Sequence, residues 1–135
     1  MAKERWGLAA LAATCLLSIN PRARAQTSQA DFYKGRQIRL IVGTEAGGGY
    51  DSYARVLARF IGKHIDGNPS VVVENMIGAG GVVAANYLYN AAPKDGTVIE
   101  TFPNNTPFIK IMGEPGPLFD SEKFGWLGSL TSEST

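Results

Sequence analysis

Apolar positions come in short blocks along this chain, and each block has its own period. Ile38–Val42 is a continuous β-rich run, closed by Gly43 and then by Gly47-Gly48-Gly49. From Tyr50 the spacing turns helical. Tyr50, Tyr53, Ala54, Leu57, Phe60, Ile61 and Ile65 recur at i, i+3, i+4 and i+7, with Arg55, Arg59 and Lys63 on the other side. Gly67-Asn68-Pro69 stops that helix. Val71–Val73 reads as a second strand, apolar throughout, as expected of one buried on both faces. Gly78-Ala79-Gly80-Gly81 forms a second turn, Val82–Ala91 a second helix, Pro93–Gly96 a turn and Thr97–Phe102 a third strand. Thr106–Met112 suggests a short helix, Gly113–Pro117 a loop and Phe124–Leu130 the start of another strand. The β-α-β-α-β order with short loops predicts an α/β fold, a parallel sheet flanked by helices with right-handed crossovers.

The N-terminus follows a different logic. Lys3 and Arg5 precede a run from Trp6 to Ile19 that is almost wholly apolar or small. Asn20-Pro21 breaks it, and Ala23-Arg24-Ala25 sets small residues three and one before a cut ahead of Gln26. This is the order of a secretory signal, and the run falls short of the ~20 residues that span a bilayer. We therefore expect a signal peptide at 1–25, an exported chain at 26–135, and a loosely held polar leader at 26–34. Cys15, the single cysteine, lies in the apolar run without the Leu and small residue of a lipoprotein signal, so the mature chain has no disulfide and no catalytic thiol.

Charge changes once that leader is set aside. The chain has 13 Lys+Arg and 12 Asp+Glu. Residues 1–25 hold four of the basic residues and one acid, which leaves 9 against 11, or −2. Such a surface gives no electrostatic reason for nucleic-acid or anionic-membrane binding.

The candidate chemistry lies in loops. Ala46-Gly47-Gly48-Gly49 and Gly78-Ala79-Gly80-Gly81 each follow a strand and open a helix. Uncapped N–H groups at a helix start attract anions, and glycine lets the backbone approach a ligand. Both turns lie at the carboxyl ends of parallel strands, where open α/β sheets bind ligands. Equally, glycines serve to make tight turns. Asp51, inside the first helix, suits a capping carboxylate better than a ligand contact. Asn104 and Thr106 after the third strand either orient a polar ligand or build an Asx-turn and cap. His64 reads as a solvated helix-end charge and Trp126 as core. No Gly-x-Ser-x-Gly, Walker lysine or His-Glu-x-x-His occurs, and no zinc set can be assembled, so no catalytic or metal residue is expected. The competing reading is a secreted nucleotide- or dinucleotide-binding enzyme domain, with Glu74 at the end of the second strand on a ribose. The glycine spacing does not match G-x-G-x-x-G.

Several blocks taken in order resemble a known family. Ile38-Arg39-Leu40-Ile41-Val42, Ala46-Gly47-Gly48-Gly49 with Asp51, and Ala54-Arg55 are similar to the opening of the tripartite tricarboxylate transporter substrate-binding proteins, the Bug receptors. Val71-Val72-Val73-Glu74-Asn75 with Gly78-Ala79-Gly80-Gly81, Pro93-Lys94-Asp95-Gly96-Thr97 and the Trp-Leu-Gly stretch at 126–128 continue the resemblance. It implies the first lobe of a type II periplasmic-binding-protein (Venus-flytrap) fold, truncated at Thr135, because such receptors are roughly twice this length. It further implies a monomeric periplasmic receptor that needs no cofactor and captures a small organic anion, a di- or tricarboxylate or related acid. The receptor hands this ligand to the two membrane permease subunits of the transporter. The candidate ligand residues are those of the loops, Ala46, Gly47, Gly48, Gly49, Tyr50, Asp51, Gly78, Ala79, Gly80, Gly81, Asn104 and Thr106. Tyr50 stands where many members carry Thr or a small residue, a departure that bears on pocket size.

Overall fold

The computed structural model describes residues 28–130. The expected signal at 1–25, its cut before Gln26 and Cys15 lie outside the described residues. Helix α1 covers Gln29–Tyr33, strand β1 Gln37–Val42, helix α2 Gly49–Ile61, strand β2 Ser70–Asn75, helix α3 Val82–Asn90 and strand β3 Val98–Thr101. All three strands are parallel in the order β2-β1-β3, with Ile41 opposite Glu74 on one side and Glu100 on the other. The expected α/β fold with a parallel sheet is therefore what the chain forms.

β1 is central, and its side chains divide the core by alternation. Leu40 and Val42 pack with Ala54, Leu57 and Ala58 of α2. Ile41 packs with Ala84 of α3, Ala92 and Val98 on the opposite face. A third cluster ties α3 to the C-terminal segment through Val82, Ala85, Ile109 and Phe119. At about 1.5–3 kcal/mol per fully buried large aliphatic side chain, Ile38, Leu40, Ile41 and Val42 supply much of the driving force.

The structure corrects six expectations. Residues 29–33 are not a loose leader: they form α1, and the Tyr33 hydroxyl donates to the Gly96 carbonyl at 3.2 Å. Tyr50, Tyr53 and Phe60 share the helical rhythm but remain exposed, while the small Ala54 is the one buried in the sheet contact. Among the described residues β2 is an edge strand, with no strand beyond it, and Val72 is 38% exposed. Thr106–Met112 forms a 3-10 turn, Thr106–Phe108, followed by hydrogen-bonded turns instead of a regular helix, with the Met112 N–H on the Phe108 carbonyl at 2.9 Å. Finally, Phe124–Leu130 is not a strand. Phe124 and Trp126 instead stack on Phe102, at ring separations of 5.0 and 5.3 Å, and Trp126 is half exposed rather than core. Among the described residues no helix is long and apolar enough to cross a membrane.

Candidate functional site

Parallel strands put the segments after β1, β2 and β3 on one edge of the sheet, and the first two turns meet there. A Cβ built on Gly43 would fall 2.9 Å from the Gly81 Cα, and one on Gly81 would fall 3.1 Å from the Pro103 ring. Gly81 also takes φ +96°, a left-handed conformation that glycine adopts without strain. Only glycine at 43 and 81 lets all three loops come together. Gly78, Ala79 and Gly80 also have positive φ, and at +45° Ala79 holds a conformation disfavoured for a residue with a Cβ.

No side chain caps the first turn of α2, whose N-cap is Gly48, nor that of α3, whose N-cap is Gly81. At α2 the first backbone donors stay uncommitted to side chains, which suits an anion held by neutral groups, whereas at α3 the Val82 and Val83 N–H groups already go to the Ala79 and Gly78 carbonyls.

Asp51 shows how the first loop is held. It is 2% exposed. One carboxylate oxygen accepts the Gly47 N–H at 2.7 Å and the Arg55 Nε–H at 2.8 Å, and the other accepts the Asn75 amide at 3.0 Å. The Asn75 amide also reaches the Thr44 carbonyl, and Arg55 donates to the Asn75 side-chain oxygen at 3.1 Å. The Arg55 guanidinium, with the Gly47 N–H and Asn75, holds the Asp51 carboxyl far below the usual range. Asp51 therefore stays ionised and fastens the glycine loop to the ends of β1 and β2. Sequence reasoning placed the carboxylate at the helix start but missed Asn75 and Arg55 as its partners. The i,i+4 spacing of Asp51 and Arg55 was the available signal.

The other expected site residues divide between two hollows. Gly49, Tyr50 and Asn104 line a groove of about 1500 Å³ that runs along the open side of β3. There the Asn104 backbone N–H donates to the Tyr50 hydroxyl at 3.1 Å and joins α2 to the third loop. Ala79 and Gly80 line a smaller hollow of about 360 Å³ with Asn105 and Met112. Ala46, Gly47 and Gly48 form the exposed crest of the first turn, and Gly78 packs against Val83. Thr106 is fully buried, and its hydroxyl has no partner. The buried hydroxyls of Thr44 and Thr101, just past β1 and at the end of β3, likewise lack partners. Sequence reasoning did not single out Thr44 or Thr101.

Glu74, the acid of the dinucleotide reading, is engaged elsewhere. The Arg39 guanidinium grips both its oxygens at 2.8 and 2.6 Å and bonds the Tyr87 hydroxyl at 2.8 Å. That pair draws the Glu74 carboxyl below its usual range. Among the described residues, no group of three His, Cys, Asp or Glu side chains is placed to hold a metal.

No family model matches the chain. The UPF0065 protein in the gbd 5′ region of Cupriavidus necator is 44% identical over 96 residues, which make up 71% of this chain and 28% of that protein. Protein BugT of Bordetella pertussis is 41% identical over 70 residues, 52% of this chain and 21% of that protein. The matched stretches thus span about a quarter of the length of these relatives. Taken with the ordered sequence blocks and the parallel α/β lobe, these matches establish that the chain belongs to the Bug family of substrate-binding proteins.

Proposed function

We propose that the protein is a periplasmic solute receptor that captures a small carboxylate, a di- or tricarboxylate or related organic acid, for a tripartite tricarboxylate-type transporter. It acts by binding and release, without catalysis and without a cofactor. The observation that supports the reading is the meeting of two glycine turns, each opening a helix, at one sheet edge, where Gly43, Gly81 and Pro103 touch and the first donors of α2 stay open. Membership of the Bug family points the same way.

Backbone N–H groups and hydroxyls would hold the anion, because Arg55 is already spent on Asp51 and Asn75. Ala46, Gly47, Gly48, Gly49, Tyr50 and Asn104 form the candidate contact set at and beside the groove, the Gly78–Gly81 turn packs beside them, and Asp51 positions the first loop. The ligand-bearing partner is the transporter's pair of membrane subunits. The receptor itself works as a monomer.

The test is calorimetric titration of the receptor with a carboxylate panel. A micromolar binder, worth ~8 kcal/mol, is expected at least once, with no heat from nicotinamide cofactors. Gly48→Val isolates the contact. A Cβ at Gly48 meets only the Glu45 carbonyl, at 3.4 Å, and the backbone there is ordinary extended chain. The variant should fold and bind poorly. Tight cofactor binding without a carboxylate response would reject the receptor reading.

A further inference from the structure

We infer that Tyr50 is the specificity-determining residue of this site: its hydroxyl donates to the acidic ligand, and its ring bounds the size of ligand admitted. The inference deepens the proposed function and rests on it. Tyr50 is the second residue of α2, and its ring is 37% exposed at the wall of the groove beside β3. Its oxygen already accepts the Asn104 N–H at 3.1 Å. A phenol has a single hydrogen, and among the described residues no acceptor takes this one, so it remains to be donated. Accepting one bond also polarises the hydroxyl toward giving the other.

The surroundings favour a polar guest at this point. Thr106, two residues beyond Asn104, is fully buried with an unpartnered hydroxyl, and so are the hydroxyls of Thr44 and Thr101 at the same edge. A buried hydroxyl without a partner is costly, and Thr101, which lines the same groove as Tyr50, is the one a ligand or its accompanying water can satisfy. Tyr50 differs from the neighbouring donors in two ways. It is a side chain, hence free to vary without breaking a turn. It also links α2 to the third loop across 54 residues of sequence, so its ring fixes the gap between them.

The experiment is ¹⁵N-HSQC titration of the full chain with succinate, citrate and benzoate, for the wild type, Tyr50→Phe and Tyr50→Thr, each checked for an unchanged melting temperature. In the wild type, the amides of 47–51 and 104–106 should shift with at least one acid. Tyr50→Phe keeps the ring and should need about five- to tenfold more of that acid to saturate. Tyr50→Thr should change the ranking in favour of benzoate, the bulkier rigid acid. Wild-type saturation by an acid that Tyr50→Phe binds equally well overturns the donor role and leaves the receptor reading standing. An unchanged ranking in Tyr50→Thr overturns the size-limiting role. No shift with any of the three acids overturns the carboxylate reading itself, and the Tyr50 inference with it.

Discussion

Glu100 supplies the sharpest test of the fold's energetics. It lies in β3 opposite Ile41, and alternation puts it on the α3 face two residues from the buried Val98. Both carboxylate oxygens are buried with no hydrogen-bond partner. The charged groups near that face are committed elsewhere: Arg39 to Glu74, Lys94 to the Leu88 carbonyl, Lys123 to Asp120. Burial alone pushes the Glu100 carboxyl from the usual 4.5 up to about 8. Each pH unit between these values is worth about 1.4 kcal/mol, so ionisation opposes folding by about 5 kcal/mol at most. Water reaching the site as the strand relaxes lowers that figure.

The sign follows from linkage. The folded value lies above the unfolded one, so the native state binds the extra proton, and stability falls as pH rises from about 4.5 through about 8. Glu100→Gln removes the titration and keeps the shape. Urea denaturation followed by circular dichroism at pH 5, 7 and 9 should show wild-type stability dropping by about 2–5 kcal/mol, against a nearly level line for Glu100→Gln. The other shifted carboxyls, Asp51, Glu74, Asp95 and Asp120, are all displaced downward and leave this window clear. Parallel pH profiles for wild type and variant would refute the buried, unpartnered Glu100.

Gly43→Ala should destabilise the fold by about 1–3 kcal/mol in the same assay, because its Cβ would press on the Gly81 backbone at 2.9 Å. Ala79→Gly should stabilise by about 0.5–1 kcal/mol by relieving the +45° φ, measured as a raised urea midpoint. Asp51→Asn should lower the melting temperature by several degrees at pH 7. Its depressed carboxyl contributes above the unfolded value and is lost as pH falls, so the gap to wild type should close in strong acid. Mass spectrometry of periplasmic material should find the mature N-terminus at or within a few residues of Gln26, and intact Met1 in a soluble product would contradict export.

The local elements and their order are written in the chain. Ile38–Val42 and Val71–Val73 are β-branched or leucine-rich runs closed by glycine, and Ala54 to Ile61 keeps helical spacing. Short-range sterics and periodicity decide such features, so β1, β2, α2, α3 and β3 were all readable, and with them a parallel sheet. The two glycine turns were legible for the same reason. Tertiary structure alone decided which partner each side chain met. Asp51 finds Asn75 across 24 residues and Tyr50 finds Asn104 across 54, contacts that leave no periodic trace in the chain. It also decided that Phe124 and Trp126 stack on Phe102 instead of adding a strand, since aromatic residues serve either arrangement and the cluster with Tyr89 and Phe119 was available nearby. Glu100 shows the division most plainly: its strand is written in Thr97–Phe102, but its burial without a partner follows only from how α3 and the C-terminal segment close over β3.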